Sequence, residues 1–230
     1  MVLDANSRTI SSAQSSNHRL LAQRVARHAG SIFQKPFSDV NRRAFDTSMA
    51  TWNRAGTPPL ILDAGCGIGL SSYCLALQFP SYFIIGVDQS AHRLARNPDW
   101  KHDIPANLLL VRADLIDYWR LLHDARIHLA RHYVLYPNPW PKIGHLARRW
   151  HAHPVFPTVV ALGGQFECRS NWSIYIDECA AALSQLTAMP IAAQPYTTDV
   201  PVTPFERKYM LSGHALWRCE ADLTHRGGRI

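Results

Sequence analysis

The segment Leu62-Asp63-Ala64-Gly65-Cys66-Gly67-Ile68-Gly69 constrains this chain more than any other. It follows the short apolar run Leu60-Ile61-Leu62 and opens a helical stretch, Leu70 to Phe79. Strand, glycine turn and helix begin a βαβ unit, and glycines there let a ligand approach the backbone closely. The alternation continues. Strands are predicted over Tyr82–Val87, Asn107–Val111 and Tyr133–Tyr136, with helices over Ser90–Asn97 (closed by Pro98) and Leu115–Leu122. A short helix after Pro157, a strand over 165–169 and an amphipathic helix over 172–188 follow, and 215–223 alternates like a late antiparallel strand. This pattern predicts an α/β fold, doubly wound around a mostly parallel sheet covered on both faces.

Helical periodicity before Leu60, over 17–29 and 39–53, predicts an N-terminal helical extension, with Val40, Ala44, Met49 and Trp52 as inner positions of its second helix. The organisation expected is a flexible leader over 1–16, too polar to pack, N-terminal helices over 17–56, one domain over 57–224 and a flexible tail over 225–230. A chain of 230 residues suffices for one core. Its formal charge of +7 suits a polyanionic partner: RNA, DNA or an anionic membrane. No run approaches ~20 apolar residues, so no membrane span is expected. The N-terminus lacks the apolar core of a signal peptide, and the five cysteines are irregularly spaced, so a reducing cytoplasm is expected. No metal is expected, because His151-x-His153 has no clear third ligand.

Three acids end or follow successive predicted strands: Asp63, Asp88 and Asp114. Ligands of open α/β sheets bind at that edge. Asp63 disfavours a pyrophosphate on the loop and suits a cationic ligand. Asp88 is placed to accept both hydroxyls of a ribose. Asp114 can accept from an adenine amine, or simply cap the following helix. The motif D-x-G-x-G-x-G and these acids resemble the class I S-adenosylmethionine-dependent methyltransferases, over Leu60 to about Leu115. The resemblance implies a Rossmann-like fold and S-adenosylmethionine as cofactor, cradled by Gly65, Gly67 and Gly69, with Asp63 near its amino-acid end, Asp88 on the ribose and Asp114 on the adenine.

A second motif points to the methyl acceptor. Strand Tyr133–Tyr136 runs into Pro137-Asn138-Pro139-Trp140-Pro141-Lys142, and then a basic stretch with His145, Arg148, Arg149 and His151, interleaved with Trp140 and Trp150. Such a stretch is a solvated helix face, or it is what a nucleic-acid backbone and an extruded base require. It is similar to the P-D-P-W-x-K turn of the tRNA (guanine-N7)-methyltransferase family, the TrmB type. Ser170-Asn171-Trp172-Ser173 corresponds to that family's T-D-W-E and Thr203-Pro204-Phe205-Glu206 to its T-K-F-E, and Gly213-His214-Ala215-Leu216-Trp217 echoes its G-H-x-V-W. The resemblance implies a tRNA partner, with Lys142, Arg148 and Arg149 on phosphates and Asn138, Asn171, Thr203, Phe205 and Glu206 around the base. Asn138 and Asn171 are its candidate catalytic pair, and Asn138 also faces the cofactor. Asn138, Asn171, Ser173 and Pro204 depart from the family pattern. Two other readings stay open: a methyltransferase of this fold acting on a small molecule or protein, and a cofactor- or RNA-binding module with little catalysis.

Overall fold

The computed structural model describes residues 6–96 and 98–224. Met1–Ala5 and the tail over 225–230 lie outside them. The strands are β1 (Leu60–Ala64), β2 (Phe83–Asp88), β3 (Leu108–Arg112), β4 (Arg131–Leu135), β5 (Gln165–Ser170), β6 (Gln194–Tyr196) and β7 (Leu216–Asp222). They form one sheet in the order β3-β2-β1-β4-β5-β7-β6. β1 to β5 pair in parallel, and β7 runs antiparallel between β5 and β6. The strand order reverses between β1 and β4, where Asp63 stands opposite Tyr133. That reversal opens a crevice beyond the carboxyl ends of the strands.

Every residue of β1 and β2 is buried, as continuous apolar runs covered on both faces require. Leu60, Leu62, Phe83 and Ile85 pack in the larger core, beneath α5 (Leu115–Asp124), α6 (Phe156–Ala161) and α7 (Ser173–Thr187). Ile61 and Ile84 pack in the smaller one, with Leu75 and Ala76 of α3 (Leu70–Gln78). The two N-terminal helices, α1 (Leu21–Ala29) and α2 (Asp39–Arg54), join the larger core, α1 against α7 and α2 against α5.

Several expectations change. The helix expected over 90–97 is a single turn, α4 (Ala91–Leu94), followed by a 3-10 turn over Asp99–His102. β6 and α8 (Pro204–Leu211) are absent from the sequence-based expectations, and each carries a proline, Pro195 and Pro204. Pro195 is tolerated on an edge strand, and Pro204 opens its helix where the missing N–H costs nothing. Val40 is exposed; the inward face of α2 carries Phe45 and Ser48, and the Ser48 hydroxyl meets that of Tyr118 at 2.7 Å. The leader packs over the part described. Ser7 N–H donates to Ser212 Oγ, Ser12 Oγ donates to the Pro141 carbonyl, and Ile10 lies against the larger core. Polar side chains do not prevent packing where the body supplies hydrogen-bond partners.

Gly163 and Gly164 turn the chain from α6 into β5, both with positive φ. A Cβ on Gly164 would stand 2.3 Å from the Leu129 carbonyl oxygen, backbone that cannot yield cheaply. Gly164→Ala is therefore expected to cost about 2–5 kcal/mol in a urea melt. Gly144→Ala, whose Cβ meets nothing within 4 Å, is expected to stay within about 0.5 kcal/mol of wild type.

Candidate active site

The glycine loop joins β1 to α3 at the reversal point. Gly67 has φ +62° and a Cβ there would meet nothing within 4 Å, so this part of the loop is open toward a ligand. Gly69 has φ +89° and starts α3, and its missing Cβ makes room for Leu110 and Trp100. Asp63 is buried at the end of β1, where its Oδ2 accepts from the Ser71 and Ser72 hydroxyls at 2.5 and 2.6 Å. Burial raises its pKa, partly opposed by those hydroxyls. Cys66 is buried in the loop, and burial pushes its thiol well above the usual range, so it is inert filler.

Asp88 ends β2. Its Oδ2 accepts from Gly67 N–H at 3.0 Å and its Oδ1 from Ser90 N–H at 2.7 Å, while the more exposed Arg93 stands 3.5 Å away. A carboxylate has about four lone-pair sites, so acceptor capacity remains for a ligand. Asp114 caps α5, its Oδ1 accepting from Ile116 and Asp117 N–H. The capping role is thus present in the structure. Asn41 of α2 braces this corner, accepting from Asp114 N–H and donating to Asp117 Oδ2 at 2.6 Å.

On the other side of the crevice, β4 runs into the Pro-Asn-Pro-Trp turn. Tyr136 and Trp140 both hold positive φ, +51° and +47°, which is costly for aromatic residues. The surroundings fix both. Tyr136 N–H donates to the Arg169 carbonyl, and its hydroxyl donates to Glu206 Oε1 at 2.8 Å. The Trp140 carbonyl accepts from Arg149 Nε at 3.3 Å and Nη2 at 3.2 Å. Asn138 is exposed at the tip, its Oδ1 accepting from Trp140 N–H.

The basic stretch divides. Lys142 and Arg148 are exposed, and the Arg148 guanidinium lies 4.6 Å over the Trp140 ring. Arg149 is fully buried, so the expectation that it holds a phosphate is corrected. A residue in extended conformation ends the 3-10 turn Ile143–Arg148 at this point, and the Arg149 side chain runs inward to Glu178 instead of outward beside Arg148. Glu178 also accepts from His151 Nε2, Gln14 Nε2 and His18 N–H. Burial alone would raise its carboxyl, but His151 and Arg149 hold it down at about 2. Glu178 is absent from the sequence-based candidates, since no motif marks it.

Glu206 and Thr203 are corrected likewise. Both are buried and hold α8 in place rather than lining an open pocket. Thr203 Oγ1 accepts from Glu206 N–H, and Glu206 accepts from Tyr136, Arg169 and Val202. Phe205, between them, is exposed. Asn171 follows β5, and its Nδ2 lies 3.0 Å from His214 Nδ1, while His214 Nε2 lies 3.0 Å from the Ser7 carbonyl. A carbonyl can only accept, so Nε2 carries the ring proton and Nδ1 accepts from the amide. The strand order brings the glycine loop after β1, Asp88 at the end of β2, the turn with Asn138 after β4 and Asn171 after β5 to the same, carboxyl edge of the parallel strands.

A sheet of this order, with a glycine loop after β1, acids at the ends of β1 and β2 and one after β3, has the Rossmann-like fold of the class I methyltransferases. Residues 57–219 match the Methyltransf_4 family, described as "Putative methyltransferase", and the chain belongs to that family. Curated relatives agree with the TrmB-type resemblance, at the distance expected of a divergent member. The chain is 28% identical over 167 residues to a tRNA (guanine-N(7)-)-methyltransferase of Treponema pallidum subsp. pallidum, covering 69% of this chain and 64% of that one, less than two thirds of its length. It is 29% identical over 181 residues to the tRNA (guanine-N(7)-)-methyltransferase of Bordetella parapertussis, covering 73% of this chain and 68% of that one. A solved structure described as an antibiotic-related methyltransferase shares the fold, with a TM-score of 0.54 and 13% identity over 85% of this chain and 98% of the other. No helix among the described residues is long and apolar enough to cross a membrane, and no group of three metal-ligating side chains occurs among them.

The Glu178 network gives a test by acid. A carboxyl held at about 2 when folded and at 4.5 otherwise contributes stability above pH 4.5 that is lost as pH falls through about 2, on the order of 3 kcal/mol. Burial lowers the His151 pKa below 6.5, so its contribution is also present above that pH and lost in acid. Glu178→Gln is expected to cost about 3–5 kcal/mol at pH 7 by leaving Arg149 unpaired, and to flatten the stability curve between pH 4.5 and 2 in denaturant titrations. The shallower loss beginning below pH 6.5 is expected to remain.

Proposed function

We propose that this chain transfers a methyl group from S-adenosylmethionine to N7 of a guanine in tRNA. The observation that carries this is the crevice at the strand-order reversal. There β1 leads into an open glycine loop and Asp88 ends β2, while β4, next to β1 in the sheet, leads into the stretch bearing two exposed cations, Lys142 and Arg148. The residues on the loop side fit the cofactor: Gly67 has room above its backbone, and Asp88 has acceptor capacity for ribose hydroxyls. When bound, the cofactor supplies an electrophilic methyl on a positively charged sulfur.

Guanine N7 has a free lone pair, so its methylation needs no base. One N–C bond forms, one S–C bond breaks, and positive charge passes to the purine. The work left to the protein is alignment and charge stabilisation. We assign Lys142 and Arg148 to the RNA backbone and Asn138 and Asn171 to the edge of the base. A tRNA substrate goes with a cytoplasmic protein.

A second reading, the same transfer to a different acceptor, has one observation behind it. Asn171 is fitted to its neighbours as an amide, because it donates to His214 Nδ1. A carboxylate there keeps the contact only if His214 is protonated on both nitrogens. This chain has therefore built its own network where the family usually carries an acid.

Labelled S-adenosylmethionine, incubated with tRNA from a strain lacking N7-methylguanine, is expected to deliver label to that nucleoside alone. Label in another nucleoside, or none in tRNA at any salt concentration, sinks the proposal. Asp88→Asn is expected to weaken cofactor binding about 10- to 100-fold in calorimetry, by removing a charge from hydrogen bonds worth ~1.5–3 kcal/mol each. Asn138→Asp is expected to raise the transfer rate about 5- to 30-fold. Its charge sits at an exposed tip, where the benefit to a developing cation is screened to ~1–2 kcal/mol. A lower rate favours the changed acceptor.

A further inference from the structure

We propose that a cleft on the α3 face of the sheet, apart from the methyl-transfer crevice, binds the phosphates of a polyanion between Arg131 and Arg218. α3 packs against β2 and β3, and α7 covers β5 and β7 from the opposite face. Beside α3, along β4, β5 and β7, lies a cleft of about 350 Å³, large enough for a small-molecule ligand. The residues of these strands that point away from it, Val134, Phe166, Cys168 and Cys219, are core. Those that line it include Arg131, Tyr133, Glu167, Arg169 and Arg218. Guanidiniums in a concavity lose hydration, so packing alone is better served by apolar residues there. The glycine loop, Asp88, Asn138 and Asn171 do not line this cleft.

Three arginines and one glutamate line it. Glu167 is committed: it accepts from Arg169 Nε at 2.6 Å, and buried Glu206 takes Arg169 Nη1 at 3.0 Å. Arg131 has no carboxylate partner among the described residues. Its Nη1 donates to the Tyr133 hydroxyl at 3.4 Å, and its guanidinium lies 4.7 Å over the Phe79 ring. Arg218 Nη2 meets half-exposed Glu220 at 3.2 Å, while its Nε is buried with no hydrogen-bond partner among the described residues. A buried N–H left unpaired is costly, and an acceptor entering the cleft satisfies it. Arg169 also stands directly opposite Arg218 in the β5–β7 ladder, and both lie on the Tyr196 ring, at 4.3 and 5.4 Å. Like charges directly opposite destabilise a sheet, and an anion beside them offsets that. Stacked on rings, these forks are held ready to donate, and a phosphate offers each of them two oxygens and more than one charge. Arg131 pairs with Gln165, four residues along β5 from Arg169, roughly 13 Å at the rise of a strand. Long side chains close part of that distance, so a ligand reaching both ends carries at least two phosphates, as pyrophosphate does.

The experiment titrates inorganic pyrophosphate, and separately inorganic phosphate, into wild type, Arg131→Gln, Arg218→Gln and Glu220→Gln by calorimetry at low salt. S-adenosylmethionine affinity is measured on the same preparations and is expected to be unchanged in all of them. Arg169 is left in place because it ties down Glu206. Arg131→Gln and Arg218→Gln are each expected to weaken pyrophosphate about 10- to 100-fold, the loss of a charge-assisted contact. Glu220→Gln, which frees the outer end of Arg218, is expected to tighten it about threefold, a direction that damage to the fold does not produce. The source of the phosphates is read from tRNA binding by the same arginine variants. A tenfold loss in both assigns them to an RNA strand running onto this face, and unchanged or absent tRNA binding assigns them to a free molecule. No pyrophosphate binding by wild type, binding no tighter than that of phosphate, or equal binding by wild type and both arginine variants overturns the proposal. None of these outcomes touches the methyl-transfer reading, which is tested on its own by the labelled transfer.

Discussion

Glu178 has no exposed surface, yet it carries a formal charge, and Arg149 beside it is as deeply buried. Taking two such ions out of water is expensive unless their remaining hydrogen-bonding groups are also satisfied. Here they are: Glu178 takes four donors, and Arg149 gives to Glu178, Gln14 and the Trp140 carbonyl while lying over the Trp172 ring at 4.9 Å. This one pair joins the middle of α7, the leader, the turn after β4 and the start of α7 at Trp172. The pair adds little to stability compared with an apolar alternative, but it fixes where those elements meet.

That fixing bears on the backbone strain at Tyr136 and Trp140. Two aromatic residues in the left-handed region, each costing on the order of 1–3 kcal/mol, persist only where the surroundings over-determine them. Tyr136 is held at its amide and its hydroxyl, and Trp140 at its carbonyl, by groups from β5, α8 and the Arg149 cluster. The exposed tip between them, Asn138, is therefore carried on a rigid turn, its Oδ1 accepting from Trp140 N–H and its side chain open to solvent. The same arrangement recurs at α8, where buried Glu206 holds the helix and exposed Phe205 is what it presents.

The sheet was legible because parallel strands covered on both faces leave continuous apolar runs, and five of the seven could be placed within a residue or two from Leu60 to Ser170. The antiparallel strand β7 was legible by alternation. β6 and α8 were missed, and each carries a proline, which is as compatible with an edge strand or a first helical turn as with a loop. At the site, the glycine loop and its acids could be read because their chemistry needs them at strand ends. Arg148 and Arg149 could not be told apart. Two adjacent arginines in a basic run look alike until the backbone sends one outward over Trp140 and the other inward to a carboxylate that no local pattern marks. Thr203 and Glu206 were misassigned for a related reason: a Thr-x-x-Glu helix start and a base-binding motif share the same letters.

The acids at this edge of the sheet separate by their partners. Glu178 and Glu206 each face an arginine at close range, so their charge is balanced within the protein and does little beyond it. Asp63 is different. Its bonded oxygen is met by two neutral serine hydroxyls, and among the described residues no cation pairs with it. Burial without a counterion is why its pKa is raised. Asp88 is held mainly by backbone amides, with Arg93 at 3.5 Å and largely in solvent. Of the two, Asp88 at the end of β2 keeps its charge beside the glycine loop, held by backbone amides, while burial without a counterion works against charge on Asp63. Lys142 and Arg148, on the stretch after β4, are exposed cations. The carboxylates that carry an arginine partner are spent on holding α7 and α8, and the one that ends β2 is not.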